Sequence, residues 1–573
     1  MLAVFLILLL LSLFSSLLLS LFSSLLLSLL LSALHFRFPS WSSDFLSSLV
    51  LLLLPLSLTN EFAEVVEQDV KRIKYNVDSP DAPHASRLPN QSPLTPLSSP
   101  TQGPATASST AVSQQIPDIY RIYEPGEAVR ILREVPISLF GSLVDLWFKE
   151  CQPWFPILKR SKLEQSLEQL VAPVEGIDDI VLRALIALSF SHSSAAVIYG
   201  YKGRRQVSAH LRADVLVEAM AKVSLDSLQA LLIIAVLDYG NDDIPSTWSL
   251  LSVCRRLCEQ LGLFRRLLTQ MQENNTPGQM ELPSREAFEG EELAIPLTWV
   301  LSALDSSTTL GASWRDASAA LMEHISSIAY ISAPDLRDSF VTHVHLAAIG
   351  LQPVHTYLYD QKNRTVTDDA TIATVDEIYH NLMSYGPMNT GTYTYLPDGT
   401  IDFDCMSALT SILIDGSVIT LYGRHLDLST STPGPGQATA IERCSQACKN
   451  MVGTVRNVSD ADIELNSPSL VTQFFIAARY MLVLQQYTGQ PRGPEFDVVM
   501  HAANMCGRRW PVARRLDIVL RAAIVEVDKF HLVTSQVPAV FWDLRRSAVE
   551  IDASMKDWVQ NYRPCLFGEP PRV

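Results

Sequence analysis

Residues 224–240 read Ser-Leu-Asp-Ser-Leu-Gln-Ala-Leu-Leu-Ile-Ile-Ala-Val-Leu-Asp-Tyr-Gly. Ser224 suits a helix N-cap, because its hydroxyl can accept a hydrogen bond from an amide of the first turn. Residues 231–237 are apolar without a break. A helix apolar on every face belongs at the centre of a bundle. Gly240 follows where a left-handed residue commonly ends a helix. The stretch therefore predicts a buried central helix over 225–238 and a bundle built round it.

Working outward, the rhythm stays helical. Within 136–152, Leu139, Leu143, Leu146 and Trp147 recur at i, i+4, i+7 and i+8. Pro136 suits the first turn and Pro153 ends the helix. Asp178 can cap a helix that carries Val181, Leu182, Leu185 and Leu188 on one side. Ser246 or Thr247 opens a helix that runs to Leu261 and closes at Gly262. Further helices are predicted near 405–421, 438–456, 468–487, 494–507, 511–531 and 538–561. Residues 393–403, Tyr-Thr-Tyr-Leu-Pro-Asp-Gly-Thr-Ile-Asp-Phe, alternate around a Pro-Asp-Gly turn and predict a short β-hairpin. No strand–helix alternation and no repeat of 20–50 residues is present, which disfavours α/β and solenoid folds. The predicted fold class is all-α, a multi-helix bundle over 116–561 with one minor hairpin and a tail at 562–573.

Two other segments precede that bundle. Residues 1–60 form a hydrophobic, Leu/Ser-rich leader. Its first 34 positions carry no charged side chain, and the block Ser-Leu-Phe-Ser-Ser-Leu-Leu-Leu begins at Ser12 and again at Ser20. About 20 apolar residues span a bilayer, so this length suits a membrane helix. It is unlike a secretory signal, which has a basic start and a shorter apolar run. Leu, Ser, Phe and Pro are also the residues encoded by pyrimidine-only codons. A translated pyrimidine tract and a soluble hydrophobic tail are thus the other two readings. Residues 61–115 read as a disordered linker, since 79–115 are rich in Ser, Pro, Thr, Gln and Ala and poor in groups able to pack. The basic cluster Lys71-Arg72-Ile73-Lys74 reads as solvated surface.

Composition excludes some functions. The 573 residues carry a net charge of −16, which repels phosphate backbones and argues against a free-standing nucleic-acid binder. Eight cysteines with no C-x-x-C are too sparse for a disulfide scaffold and suit a reducing compartment.

The search for chemistry mostly fails. No phosphate-binding loop, nucleophile elbow, H-E-x-x-H or dinucleotide fingerprint occurs. Cys254/Cys258 and Cys444/Cys448 are i, i+4 pairs on predicted helices and read as core residues rather than zinc ligands. His343 and His345 point to different sides of a helix, and with His355 they make poor joint ligands. Asp402-x-Asp404 reads as a polar hairpin edge. Sequons at Asn90, Asn274, Asn363 and Asn457 matter only in a luminal chain. The sequence therefore assigns no catalytic, metal-binding or DNA-binding residue and no cofactor.

The stretch 143–158, Leu-Val-Asp-Leu-Trp-Phe-Lys-Glu-Cys-Gln-Pro-Trp-Phe-Pro-Ile-Leu, resembles the opening of the fungal zinc-cluster transcription factor regulatory region, also called the middle homology region. Pro153, Phe155, Pro156, Ile157 and Leu158 carry that match. The resemblance continues in order through Ser-Leu-Gln-Ala-Leu-Leu at 227–232 and the helix from Trp248 to Gly262. It then takes in Trp299 with Asp305, where Ser306 replaces the usual arginine and Pro296 intrudes upstream. Near the C-terminus it includes Ala477-Ala478-Arg479 and Gly507-Arg508-Arg509-Trp510-Pro511-Val512-Ala513-Arg514-Arg515-Leu516. Members of the family carry an N-terminal binuclear zinc cluster with six cysteines, whereas the first cysteine here is Cys151. Zinc is accordingly expected only if such a cluster precedes this sequence.

The resemblance implies a nuclear transcription regulator with an effector-responsive region and no turnover. Its partners would be proteins of the transcription machinery or a small effector, and it allows a homodimer. DNA would be reached only through a missing domain. Two other functions are a membrane-tethered helical interaction protein, held at a membrane by residues 1–34, and an all-α enzyme. On the helix after Pro511, Arg514 and Arg515 oppose the helix dipole. They, with Arg508 and Arg509, are expected to clamp the C-terminal helices onto the N-terminal ones, and Arg508 and Arg514 are not expected to bind phosphate. The acidic chain, with no groove-reading element, should bind duplex DNA weakly and without sequence preference. Fluorescence anisotropy with random and genomic duplexes at about 150 mM salt checks this. A tight, salt-resistant, sequence-selective complex is the contrary result.

Overall fold

The computed structural model describes residues 125–170, 177–263, 291–310, 338–360, 369–386, 393–395, 399, 401–426, 435–528, 537–546, 551, 554–556 and 558–559. The leader, the linker, the tail, Cys565 and the Asn90, Asn274 and Asn363 sequons lie outside the described residues.

The central helix forms as its sequence dictates. It spans Leu225–Gly240 (α6), and the Ser224 hydroxyl accepts from the Ser227 amide at 3.0 Å. All of 227–240 is buried. Its neighbours are α4 (Ile180–His192), α5 (Gly200–Ala221) and α7 (Ile244–Gln260). Before these come α1 (Pro125–Glu134), α2 (Ile137–Glu150) and α3 (Arg160–Glu168). The middle of the chain supplies α8 (Glu291–Thr308), α9 (Asp338–His345), a π-helical turn Leu346–Gly350, α10 (Gln352–Asp360) and α11 (Asp369–Ser384). Strands Tyr393–Tyr395 (β1) and Ile401–Phe403 (β2) pair antiparallel, Thr394 opposite Asp402, with Gly399 at φ +83° in the turn. A second layer follows: α12 (Cys405–Gly423), α13 (Pro435–Arg456), α14 (Asp460–Leu465), α15 (Ser469–Thr488), α16 (Pro494–Arg509), α17 (Pro511–Asp528) and the single turn α18 (Ala539–Trp542). Helix α12 packs on α13 and α15, and α15 on α16 and α17. The fold is all-α with one small hairpin.

Several local expectations need correction. The α4 cap is Asp179, not Asp178; its carboxylate accepts from the Val181 amide at 2.8 Å and from Leu182 at 3.2 Å. That helix is not one-sided, since ten of its residues from Ile180 to Phe190 are buried. Helix α7 starts two residues before Ser246, because Asp243 takes the cap from the Ser246 amide and Pro245 fits the first turn. Helix α8 contains Pro296 in its interior, where the ring removes one amide bond and crowds the carbonyl of the preceding turn. The expected helix over 538–561 begins as one turn and bends at 543–546. Asp404 is no hairpin edge but the N-cap of α12, accepting from Met406 and Ser407.

The most informative correction is Gly240. It remains helical, and the left-handed residue is Asp242, with φ +71°. Glycine is required for another reason. A Cβ built at Gly240 would lie 2.3 Å from Trp510 Cε3. The fully buried Trp510 indole thus lies directly on the backbone of the central helix. Its Nε1 donates to the Asn466 carbonyl at 3.0 Å, and its ring meets His192 edge-on at 4.7 Å. One side chain thereby joins α4, α6 and the turn between α14 and α15. Gly262, by contrast, does end α7 in the left-handed region, at φ +66°.

Helix α12 is long and apolar enough to cross a membrane, but most of it is buried against other helices, as in the core of a bundle. Burial pushes its Asp415 carboxyl up to about 8, so that side chain is held neutral in the core.

Gly240→Ala should cost about 1–3 kcal/mol, because the methyl must displace a packed indole. Gly141→Ala on α2, where an added methyl would meet nothing within 4 Å, should be neutral or stabilising. Urea titrations of the two variants decide the matter, and equal midpoints would remove the close-packing explanation.

Candidate functional site

The end of α6 converts an apolar helix into a polar junction. Asp238 has no exposed side-chain surface, and Arg212 of α5 grips it with two hydrogen bonds of 2.6 Å. The Ser246 hydroxyl also donates to Asp238, at 2.6 Å. Burial in the first place, and the Asp238 charge after it, push the Asp243 carboxyl above its ordinary range. Arg205 donates to the Asn241 side-chain oxygen at 2.7 Å. Asp242 pairs with Arg515 of α17 at 2.5 Å. The Tyr239 hydroxyl meets Thr472 of α15 at 2.5 Å.

A cleft opens beside this junction. Tyr239, Ile244 and Trp248 form one wall, Thr472 and Phe475 another, and Val512, Arg515 and Leu516 a third, with Ile551 and Met555 closing the side. The cleft with its mouth encloses about 450 Å³, but its interior leaves only about 30 Å³ free, room for roughly one or two waters. A smaller recess of about 250 Å³ continues from it past Tyr239 and Thr308 towards Thr247 and Leu304. Its walls are mainly aliphatic and aromatic, as in many small-molecule sites.

Of the residues singled out in the sequence, Trp248 and Arg515 line this cleft, with Val512 and Leu516 of the C-terminal motif, and the others do not. Phe155 is buried against Trp147, with ring centroids 5.7 Å apart, and Trp154 donates to the Glu150 carbonyl at 2.9 Å. Pro153 and Pro156 flank them, half-buried. This loop reaches the central helix through Gln229, whose amide donates to the Ile157 carbonyl at 2.6 Å. Trp299 is buried beside Phe340, and Asp305 pairs with Arg255 of α7. Arg479 is buried and donates to the backbone carbonyls of Phe541, Val540, Asp543 and Arg546, so it clasps the turn of α18. Such carbonyls at a helix end lack partners within the helix.

The arginine clamp is built differently from the sequence expectation. Arg509, not Arg508, reaches the N-terminal helices, binding Glu150 at 2.8 Å and the Cys151 sulfur at 3.4 Å. Arg515, not Arg514, holds Asp242. Arg508 lies 3.6 Å from Glu464 with an exposed side chain, and Arg514 donates to the carbonyls of Gly507 and Arg508, next to Pro511. Neighbouring helical positions differ by about 100° in direction, so only one of each adjacent pair can face inward. The phase was readable: Arg509 continues the buried positions 499, 502 and 506, and Arg515 lies beside 512, 516 and 519. Arg212 and Arg255 carried no comparable signal.

The buried titratable groups have structural settings. Burial lowers the imidazoles of His343 and His425 to about 4. His343 contacts Thr410 and His425 contacts Tyr357. His355 faces the Ser306 hydroxyl at 3.1 Å, inside the core. The cysteines at 151, 254, 258, 405, 444, 448 and 506 are buried. Burial raises the thiols of Cys254, Cys258, Cys444 and Cys448 well above their ordinary value. Helix-borne, protonated thiols do not fit the thiolate array of a binuclear zinc cluster, and no metal-sized group of ligands occurs among the described residues.

Residues 144–281 match the fungal specific transcription factor domain. Over these residues the chain is similar to a fungal transcription-factor regulatory region. The chain is also 22% identical over 440 residues to the notoamide biosynthesis cluster transcriptional coactivator notQ' of Aspergillus versicolor, covering 73% of this chain and 72% of that protein. No solved structure matches. The regulatory region thus begins within α2 and takes in the central helix, Asp238 and α7. Its class is that of transcription regulators, which at a coarse level belong to the nucleus.

Arg212→Met leaves Asp238 charged and buried, and should cost about 3–5 kcal/mol. Arg508→Met should stay within about 0.5 kcal/mol, since it loses only an exposed pair. Denaturant midpoints of both variants test this ranking. Equal losses would contradict the assignment of the long-range contacts.

Proposed function

We propose that this chain regulates transcription as a helical unit that responds to an effector or partner. It acts through proteins of the transcription machinery, or through a DNA-bound protein, and makes no catalytic turnover. The reading is carried by one finding, the match of 144–281 to the fungal regulatory domain. The likeness to a transcriptional coactivator over 440 residues supports it. So does the acidic charge, which disfavours direct contact with phosphate backbones. In the proposed organisation, 61–115 link the leader at 1–60 to the helical region at 116–561. The motif residues Pro153, Phe155, Trp510 and Arg509 hold the two helical layers in register, so that a change at the cleft reaches the surface that partners see.

The full chain, fused to a heterologous DNA-binding domain in a fungal host, should change the output of a reporter carrying that domain's sites. Charge reversal at Arg509 should alter the output while site occupancy stays intact. A folded, nuclear, site-bound fusion that leaves the reporter at background would refute the regulatory role.

A further inference from the structure

The cleft beside Asp242 has an unusual balance of groups. Ile244, Phe475, Val512, Leu516 and Met555 give it apolar walls, yet one lining residue, Arg515, carries a full charge. That residue is only 8% exposed, at the fifth position of α17. The carboxylate opposite belongs to Asp242, whose backbone is left-handed at φ +71°, a conformation that aspartate and asparagine adopt more often than most side chains. It does not line the cleft but touches the same guanidinium from outside, at 2.5 Å.

We propose that this cleft binds a small organic acid, an apolar or aromatic body with one terminal carboxylate, and that the ligand carboxylate takes Arg515 over from Asp242. The exchange keeps one carboxylate on the buried guanidinium throughout, while the more exposed Asp242 carboxylate is released towards solvent. It also removes one of the contacts that hold the 241–243 loop, beside Arg205 on Asn241 and the backbone bonds to Tyr239 and Asp238, which changes the junction between α6 and α7. The apolar body would widen the narrow interior between Trp248, Phe475 and Leu516. A cationic ligand would meet a guanidinium of its own sign, and a neutral one would have no means of displacing Asp242. The proposal rests on the effector-responsive reading for its biological meaning, but not for its chemistry.

The test uses the full chain and matched pairs that differ in charge alone: phenylacetate and phenylacetamide, 3-phenylpropionate and its amide, 4-methylpentanoate and its amide. Ligand-detected NMR and thermal shifts should show the acids binding about tenfold or more tightly than the amides, the scale of one charge-assisted hydrogen bond. Asp242→Asn tolerates the left-handed backbone and keeps an acceptor for Arg515 without the competing charge. It should tighten the acids several-fold and leave the amides unchanged. Arg515→Gln should abolish the preference. Acids and amides of equal affinity in the unaltered chain, or weaker acid binding in a folded Asp242→Asn variant, would overturn the proposal, as would no binding by any pair. Acid binding with an unresponsive reporter would keep the site and sink the effector reading. A reporter that responds while no acid is preferred would do the reverse.

Discussion

The central helix Leu225–Gly240 carries apolar side chains round its whole circumference, so it can exist only with neighbours on every side. That requirement orders the rest of the molecule. Helices α4, α5 and α7 cover most of its surface, and the loop after α2 is tied to it through Gln229 and Ile157. The last opening is at Gly240, where the absence of a side chain lets Trp510 come down onto the backbone. Because the seal arrives from a sequence-distant segment, the two helical layers are not independent. Each supplies part of the other's core.

Polar contacts then fix how the layers meet. Arg212–Asp238, Arg255–Asp305, Arg509–Glu150 and Arg515–Asp242 each join different elements and are largely withdrawn from solvent. Withdrawing such charges costs nearly as much as their attraction returns. Their value here lies in register: apolar surfaces tolerate sliding, whereas a bidentate arginine and a buried carboxylate do not. Arg479 does comparable work with backbone oxygens, holding a short helical turn that has little packing of its own. The cleft lies where two of these devices, Arg212–Asp238 and Arg515–Asp242, converge at the end of α6.

Much of this was legible in the sequence, and the limits have physical causes. Helix positions followed from apolar spacing and capping side chains, which are local. The hairpin followed from alternation around Pro-Asp-Gly. Caps slipped by one to three places where two adjacent polar residues competed, as with Asp178 and Asp179, or Asp243 and Ser246. Gly240 misleads because a glycine after an apolar helix ordinarily marks a left-handed end, and the indole that needs it lies far along the chain. Of the cleft, Trp248 and the motif residues Val512, Arg515 and Leu516 stand out in the sequence, but nothing there brings them together. Arg515 reads there as one of four arginines, and its partner Asp242 has no motif, being defined by a backbone angle.

The long reach of the seal has a consequence for how the protein is made. Glu150 and Arg509 are 359 residues apart, and Tyr239 and Thr472 are 233 apart. At roughly 5–20 residues per second, the ribosome delivers the second member of the first pair about 20–70 seconds after the first. During that interval the central helix, apolar on every face, has its own neighbours but not its lid. A nascent chain in this condition presents sticky surface and is a natural client for chaperones. Shortening the C-terminus before 510 would make that transient state permanent, turning a regulator into an aggregation-prone fragment although every residue of its matched domain is present.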